Sequence, residues 1–212
     1  MPLSLTSNKL ALIFLLLLTS NLAFASTEEV GSVTEQKGNP AQIKRGSNEI
    51  IDSQKGVGIV MNDEISTAKT KLGLTFVDDT KVSISEQSVL IIDDFIYDPN
   101  AGTGKLAMNI ALGTVRYSSG AIAANSRENV KLKTPTATIS VRGTDFTMTV
   151  DELGRSLVIL LPSCPATGEC WVGEIEVATD IGMVILNQAF QATLVSNEMG
   201  MPSKPKIIDL NG

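Results

Sequence analysis

Apolar and polar residues alternate along most of this sequence, and this pattern limits the possible folds more than any other feature. The clearest stretch reads LGLTFVDDTKVSI, residues 72–84, with apolar side chains at every second position on both sides of an Asp-Asp pair. A period of two is typical of β-strands with one buried face. Turn residues recur about every 8–12 residues, as in sandwiches, barrels and solenoids. The sequence therefore predicts an all-β protein of antiparallel hairpins in a solenoid-like or sandwich-like arrangement.

Several pairs of alternating segments predict individual hairpins, because Gly, Pro, Asn and Asp between them favour tight turns. Evidence for helices is thin, and residues 120–130 offer room for one short turn at most. The predicted hairpins are VGSVTEQKG with AQIKRGSN around Gly38-Asn39-Pro40, residues 72–84 around Asp78-Asp79, the two segments on either side of DELGRS (151–156), and the two segments on either side of Asp180-Ile181-Gly182.

The segment TPTATISVRGTDF, residues 134–146, changes the phase of its alternation in the middle. Apolar residues occupy odd positions up to Val141 and even positions from Phe146 onward. A one-residue phase change in a strand indicates a bulge or a sharp bend. Gly143 suits such a bend because it lacks a Cβ. We therefore predict a corner at Arg142, Gly143, Thr144 and Asp145, where the chain leaves one sheet and joins another.

The side chain of Arg142 has two interpretations at this corner. It can be structural, with hydrogen bonds to free carbonyls or an ion pair with an acid such as Asp145. Alternatively, it can recognise a carboxylate of a partner, because guanidinium groups bind carboxylates well. The sequence favours the structural interpretation and leaves an interaction role at residues 142–145 open.

Composition excludes several functional classes. The net charge is -6 and the pI about 4.7, which argues against nucleic acid because phosphate binding needs Lys and Arg. The count of His is 0, which excludes Ser-His-Asp and Cys-His catalysis and every His-ligated metal site. Hydrophobic residues make up 43%, enough for a proper core. We predict no cofactor and no resident metal.

The first 25 residues have the pattern of a signal peptide. Lys9 precedes the apolar run LALIFLLLL, and Ala23-Phe24-Ala25 provides an A-x-A cleavage pattern. The run is shorter than the roughly 20 apolar residues that a membrane-spanning helix needs. We therefore expect a periplasmic or secreted protein with no stable membrane span after cleavage.

The two cysteines of the chain, Cys164 and Cys170, lie in PSCPATGECW. An even count in an oxidising compartment predicts a disulfide, and Pro165 and Gly168 allow the intervening loop to turn back. A redox-active pair is the alternative, but the familiar redox motif has only two residues between its cysteines. We predict a structural disulfide, which over so short a loop stabilises the fold by about 2 kcal/mol.

The segment DDFIYDPNAGTGK contains a partial match to a calcium-binding loop. Asp98 and Asn100 occupy the first and third positions, but the fifth and twelfth positions lack the expected acids. A solvated turn shaped by Pro99 and Gly102 explains the same residues. Asp98 and Asn100 are therefore a weak candidate for a cation loop.

Three segments together resemble the FecR domain. TPTATISVRGTDFTMTVDELG resembles the family's T-P-x-A-x-I-x-V-R-G-T-x-F signature and its following V-D hairpin. GIVMNDEISTAKTKLGLTFVDDTKVSISEQS resembles the upstream stretch with l-x-F-x-D-x-T, and KLAMNIALGTVRYSSG the apolar strand ending in Gly-x-x-Arg. The resemblance extends over residues 30–161.

The resemblance implies an all-β extracytoplasmic module, with Arg142, Gly143 and Thr144 as determinants of the fold. Regulatory members of the family receive a signal from an outer-membrane TonB-dependent receptor and pass it to a cytoplasmic sigma factor. They carry an anti-sigma segment and a spanning helix before the module. Here nine residues precede the apolar run, so we expect a stand-alone module without this relay. Fold does not by itself transfer function.

These observations predict a signal peptide at 1–25, a FecR-like domain at 26–200 and an extended tail at 201–212. Within the domain, residues 30–161 carry the resemblance, and 162–200 hold the disulfide hairpin and final strands. The first functional hypothesis is an exported, non-enzymatic module that binds an envelope protein, with a TonB-dependent receptor or a membrane regulator as possible partners. A structural or self-associating surface component is the alternative. A hydrolase that acts through two carboxylates is the third hypothesis.

Overall fold

Strands dominate the computed structural model, which describes residues 28–165 and 167–209. They account for 58% of the described residues and helices for 3%, so this part of the protein is all-β as the alternation predicts. The strands are β1 (Glu29–Gly38), β2 (Gln42–Arg45), β3 (Glu49–Asp52), β4 (Gly58–Val60), β5 (Glu64–Thr67), β6 (Thr70–Phe76), β7 (Lys81–Ile84), β8 (Ser88–Asp98), β9 (Thr103–Ser118), β10 (Val130–Lys133), β11 (Thr138–Arg142), β12 (Asp145–Val150), β13 (Ser156–Leu161), β14 (Glu174–Thr179), β15 (Gly182–Leu186), β16 (Gln191–Val195) and β17 (Lys206–Ile207). A short helix, α1 (Ala121–Asn125), and a 3-10 turn (Arg127–Asn129) precede β10.

The strands form two layers that share β9. Layer I has the order β4-β1-β6-β7-β9-β12-β13-β16-β17. Layer II has the order β3-β2-β5-β8-β9-β10-β11-β14-β15. The pairing of β9 with β10 is parallel and the other pairings are antiparallel, so the network is mixed, and its described strands do not close into a barrel.

The shared strand β9 passes from layer II into layer I near Gly113. Residues 103–112 pair with β8 of layer II, whereas residues 113–118 pair with β12 of layer I. Gly113 has a φ of 87°, and a Cβ at this position would lie 2.1 Å from the Ser88 hydroxyl. Only glycine can make this close approach in a left-handed conformation. A single strand therefore joins the first eight strands to the last eight.

One hydrophobic core lies between the layers. Phe76 of layer I stacks on Phe95 of layer II with ring centroids 5.5 Å apart. The inward-facing residues are those that the alternation predicts, including Leu72, Leu74 and Ile139, all of them buried. Burial of apolar side chains is the main favourable term in folding, so this core explains why the period-two pattern decides the fold.

Three of the predicted hairpins form, and the first does not. β6 pairs with β7, β12 with β13 and β14 with β15. β1 pairs with β4 and β6 instead of β2, so the predicted hairpin around Gly38-Asn39-Pro40 is wrong. The turn carries the chain from layer I to layer II, where β2 pairs with β3 and β5. A tight turn between two alternating segments does not distinguish pairing within a layer from a change of layer.

The C-terminal segment packs on layer I through residues 203–207. Lys206 and Ile207 pair with β16, and the Ser203 hydroxyl accepts a hydrogen bond from the Leu194 N–H at 2.9 Å. The predicted signal peptide lies outside the described residues. Among residues 28–165 and 167–209, no helix is long and apolar enough to cross a membrane.

Candidate functional site

The chain changes layers at residues 142–145. β11 ends at Arg142 in layer II, and β12 begins at Asp145 in layer I. Gly143 between them has a φ of 53°, in the left-handed region that favours glycine. The corner therefore separates two strands whose apolar residues face the same core from opposite layers, which accounts for the phase change in the sequence.

Hydrogen bonds hold the corner through Thr144. The Ser119 hydroxyl donates to the Thr144 carbonyl at 2.8 Å and accepts from the Thr144 N–H at 2.9 Å. The buried Thr144 hydroxyl accepts from the Gly173 N–H at 3.2 Å. A Cβ on Gly173 would lie 2.5 Å from the Arg142 carbonyl oxygen. The Thr of Arg-Gly-Thr thus joins the corner to the end of β9 and to the start of β14.

Asp145 is buried at the first position of β12 and has three side-chain partners. Its carboxylate accepts hydrogen bonds from the hydroxyls of Ser118 and Ser163 at 2.7 and 2.8 Å. It also forms an ion pair with Arg116 at 3.2 Å. The pairing of Asp145 with Arg142 that the sequence suggested does not form, because the end of β9 lies closer and offers its own arginine.

Arg142 is exposed beside a loop that presents an exposed tryptophan. Among the described residues, the Arg142 side chain has no hydrogen-bond or ion-pair partner. Trp171 is 53% exposed, while its backbone makes two hydrogen bonds with Ser163. Arg and Trp are enriched at the centres of protein interfaces. The corner and this loop therefore present two residue types suited to recognition on a fixed backbone.

The loop that presents Trp171 is closed by a disulfide. Cys164 and Cys170 are bonded, which confirms the predicted pairing. The bond lies directly after Ser163, a hydrogen-bond donor to Asp145. The disulfide therefore restricts the loop between β13 and β14, which lies beside the corner. It also restricts the position of Trp171 in that loop.

A buried turn supports the corner from the other side. Asp78 accepts hydrogen bonds from the N–H and the hydroxyl of Thr80 at 3.1 and 2.8 Å. It also accepts one from the Ile122 N–H at 3.2 Å, so a carboxylate from the β6–β7 turn caps the first turn of α1. The Gly120 N–H donates to the Thr80 hydroxyl. These contacts fix the segment that carries Ser119.

Tyr117 lies fully buried between the Asp78 turn and the corner. Its ring packs against Phe146 with centroids 5.3 Å apart. Burial raises the pKa of the phenol well above its usual range, and Asp78 and Asp145 raise it further. The nearby hydroxyls of Thr80 and Ser119 oppose this rise in the pKa. Within the described part of the chain, however, the phenol oxygen has no hydrogen-bond partner.

The weak cation-loop candidate lies at the tip of the β8–β9 hairpin, near the corner. The carboxylate of Asp98 accepts hydrogen bonds from the N–H groups of Asn100 and Ala101 at 2.9 and 3.3 Å, as in an Asx-turn. Ile122 fills the space beside Gly104, which connects the hairpin stem to α1. No cluster of three or more possible metal ligands occurs within residues 28–165 and 167–209.

An apolar groove opens on the first strands beside this hairpin and has a volume of about 410 Å³. The exposed side chains of Met61, Val77 and Ile96 lie on it, together with Phe95 and Tyr97. We refer to residues 78–80, 96–104, 118–122, 142–145, 163–165 and 167–173 together as the corner end of the molecule. Both sequence-predicted site candidates belong to this end.

A second buried aspartate stabilises the first half of the molecule. Asp63 is 0% exposed and forms a two-pronged ion pair with Arg45, with N–O distances of 2.9 and 2.8 Å. The same carboxylate accepts from the Val60 N–H, and Arg45 donates to the Gly58 carbonyl. Hydrogen bonding to Asp63 raises the pKa of Arg45 above its already high usual value. This site is structural.

Sequence reasoning missed most of the polar residues that build the corner end. Ser119, Ser163 and Gly173 hold the corner but follow no recognisable motif. Asp78, which the sequence places in a turn, is buried, and the turn alone does not predict this. The Asp78-x-Thr80 spacing was the available signal, because Asp and Thr two residues apart can share hydrogen bonds in a turn.

Comparison with known proteins finds a family match for the central part of the chain. The family model described as "FecR protein" matches residues 63–161, from Asp63 through the corner to the end of β13. No curated protein matches the chain in sequence.

One solved structure shows a related fold. A crystal structure titled "putative anti-sigma factor from Parabacteroides distasonis ATCC 8503" superimposes with a TM-score of 0.50 and 16% identity, over 69% of this chain and 60% of that chain. A second crystal structure under the same name gives a TM-score of 0.49 and 17% identity over the same shares. The chain therefore spans less than two thirds of the length of these neighbours. The family match itself identifies a FecR domain at residues 63–161 of this chain.

Proposed function

We propose that this chain is a non-enzymatic, extracytoplasmic module that binds a protein partner in a signalling system of the cell envelope. One observation carries the proposal most directly. The FecR domain includes a hydrogen-bonded corner at which Arg142 is exposed, and the adjoining disulfide loop exposes Trp171. A rigid surface with exposed Arg and Trp favours recognition of another protein.

The corner end limits the chemistry of the partner. The exposed guanidinium favours a carboxylate on the partner, and the indole favours an apolar or cationic group beside it. The backbone under both residues is fixed by Thr144, Gly173 and the disulfide. Binding would therefore lose little conformational entropy on this side of the interface.

An extracytoplasmic location is part of the proposal. The closed disulfide supports it, because such bonds persist mainly in oxidising compartments. The predicted signal peptide at residues 1–25 and the family likeness point the same way. A TonB-dependent receptor or a membrane-bound regulator remains the partner that the family likeness favours, and the solved neighbours are named as anti-sigma factors.

Photo-crosslinking in cells tests this proposal. A photoreactive phenylalanine analogue replaces Trp171 in one variant and Asn100 in a second, both at the corner end. A matched control places it at Leu153, a highly exposed apolar residue on the turn between β12 and β13. We expect a distinct crosslinked protein from the corner end and not from Leu153.

The identity of the crosslinked protein decides between the hypotheses. A receptor or membrane regulator supports a signalling role. Wall material, or identical products from Trp171 and Leu153, would contradict specific recognition by the corner end. Replacement of Arg142 by Glu should remove the crosslink from Trp171 while leaving the fold intact, since Arg142 is exposed.

A further inference from the structure

The strands that end each layer differ in how well they resist pairing with another molecule. Among the described strands, layer I ends at β4 and β17, and layer II ends at β3 and β15. A terminal strand presents unpaired N–H and C=O groups along its outer side. Proteins normally protect such edges with charge, proline, bulges or very short strands.

Three of the four edges are protected. β4 has 3 residues and β17 has 2, so each offers few backbone groups. β3 reads EIID and has an acid at each end, Glu49 and Asp52, both exposed. Charge at both ends of so short a strand opposes the addition of another strand.

The fourth edge, β15, has none of these protections. It reads GMVIL and pairs with β14 in continuous register without a bulge. The surrounding residues 181–195 contain no charged residue and no proline. β15 is therefore an uncharged strand that, within the described part of the chain, pairs with a strand on one side and is contacted by Met201 at its first residue, Gly182.

The side chains of β15 strengthen the case for an interface. Val184 and Leu186 face the core, whereas Met183 and Ile185 point outward and are 56% and 39% exposed. Ile181, immediately before the strand, is also exposed. Exposed apolar side chains along an unprotected edge are typical of a surface that another chain covers.

We propose that β15 is a dimerisation strand, which pairs antiparallel with β15 of a second copy of this chain. A two-fold axis through Val184 places Met183 opposite the partner subunit's Ile185, and Ile185 opposite the partner subunit's Met183. All four outward apolar side chains then form cross-strand pairs, and no charge enters the interface. Such an interface is self-complementary and closed at two copies, and layer II continues from one copy to the other.

The other edge of layer II shows why a second copy fits β15 in particular. A two-fold axis through Ile50 of β3 would place Glu49 opposite the partner subunit's Ile51, and one through Ile51 would place Asp52 opposite the partner subunit's Ile50. Either pairing brings a charged carboxylate into the contact between the two edge strands, which opposes their association. With a net charge of -6, two copies also repel at long range, so self-association requires an uncharged contact such as β15.

Two double variants that differ in the sign of one charge test this register. In the first, Met183→Lys with Ile185→Lys, the proposed pairing brings lysines face to face, and we expect a loss of dimer of at least about tenfold in Kd. In the second, Met183→Glu with Ile185→Lys, each acid faces a lysine of the other copy, and we expect the dimer to persist. Sedimentation velocity of the purified protein over a range of concentrations measures both, and Ile50→Lys on β3 is the matched edge control.

Hydrogen exchange gives a second measurement that does not depend on variants. In the wild-type protein, the amides of β15 should exchange more slowly as concentration rises, while those of β3 should not change. A wild-type protein that stays monomeric at all concentrations would overturn the proposal. Equal behaviour of the two double variants, or open-ended assembly, would overturn it as well. If a β15 variant loses the dimer but keeps the crosslink from Trp171, then dimerisation and the proposed partner binding use independent surfaces.

Discussion

Two buried aspartates, Asp63 in the first half of the chain and Asp145 in the second, are stabilised by different means. Asp63 is fully buried and accepts hydrogen bonds from two guanidinium nitrogens of Arg45, whose side chain is only 24% exposed. Asp145 is bound chiefly by the hydroxyls of Ser118 and Ser163, and its arginine, Arg116, is 55% exposed. The first site is an ion pair within the protein, and the second is a hydroxyl cluster with a solvated cation beside it.

The difference shows that an Asp–Arg distance alone does not give the strength of an ion pair. An exposed guanidinium is screened by water and contributes little. A buried carboxylate whose arginine is removed remains uncompensated, which costs several kcal/mol. We therefore expect equivalent substitutions at the two sites to have very different effects, in the order described below.

The largest effect should follow from Arg45→Met. It leaves Asp63 buried without its cation, and we expect a loss of about 4 kcal/mol in the free energy of unfolding. Urea denaturation measures this loss. Lys44→Met, an exposed neighbour on the same strand, is the control and should change stability little. If Arg45→Met loses less free energy of unfolding than a variant at the Asp145 site, Asp63 does not depend on Arg45.

The next effect should follow from Ser118→Ala combined with Ser163→Ala. The double variant removes both hydroxyl donors from Asp145, and we expect a loss of about 2 kcal/mol, since hydrogen bonds to charged groups are among the stronger ones. Denaturation by urea again gives the value. Ser83→Ala on the exposed face of β7 is the control, and an equal loss there would contradict a specific role for the two hydroxyls.

A smaller effect should follow from Arg116→Met. Because Asp145 keeps both hydroxyl donors and Arg116 is largely solvated, we expect a loss below about 1 kcal/mol that shrinks further at high salt. Urea denaturation at low and high salt tests this. A loss comparable to that of Arg45→Met would remove the distinction between the two sites.

The smallest effect at neutral pH should follow from Tyr117→Phe. The phenol lacks a hydrogen-bond partner within the described residues, and a buried hydroxyl without a partner is unfavourable, so we expect no loss of stability and a gain below about 1 kcal/mol. Burial raises the pKa of Tyr117, so its contribution is fully present below the ordinary pKa of about 10 and is lost as pH rises above that value. The variant should lose less stability than the wild type between neutral and strongly alkaline pH, as thermal unfolding would show. Parallel profiles for the two proteins would contradict this.

The hairpins β6–β7, β12–β13 and β14–β15 were predictable from sequence because each joins consecutive strands. Turns such as Asp180-Ile181-Gly182 join strands of one layer, so alternation and turn chemistry suffice. The rest of the fold depends on distant pairings such as β1 with β6, β2 with β5 and β11 with β14. Local pattern carries no information on which distant strand becomes the neighbour, which explains the error at the first hairpin.

The candidate site was predictable only at its corner and its disulfide. The phase change around Gly143 marks the bend, and two cysteines admit only one pairing. The partners of Asp145 come from β9 and from the segment after β13, 27 and 18 residues away in sequence. These residues meet because of the order of the strands in the two layers, which the sequence alone does not predict.

The shared strand β9 has a consequence for dissecting this protein into fragments. A cut in the segment between Ser118 and Val130 would separate a piece that carries β1–β9 from a piece that carries β10–β17. The first piece would expose the side of β9 that binds β10 in layer II and the side that binds β12 in layer I. The second piece would lack β9, with which β10 and β12 pair. Neither piece should fold on its own as a native domain, yet each presents the template that the other lacks. The chain is thus suited to fragment complementation, in which two separately expressed pieces reassemble through the pairing of β9 with β10 and β12.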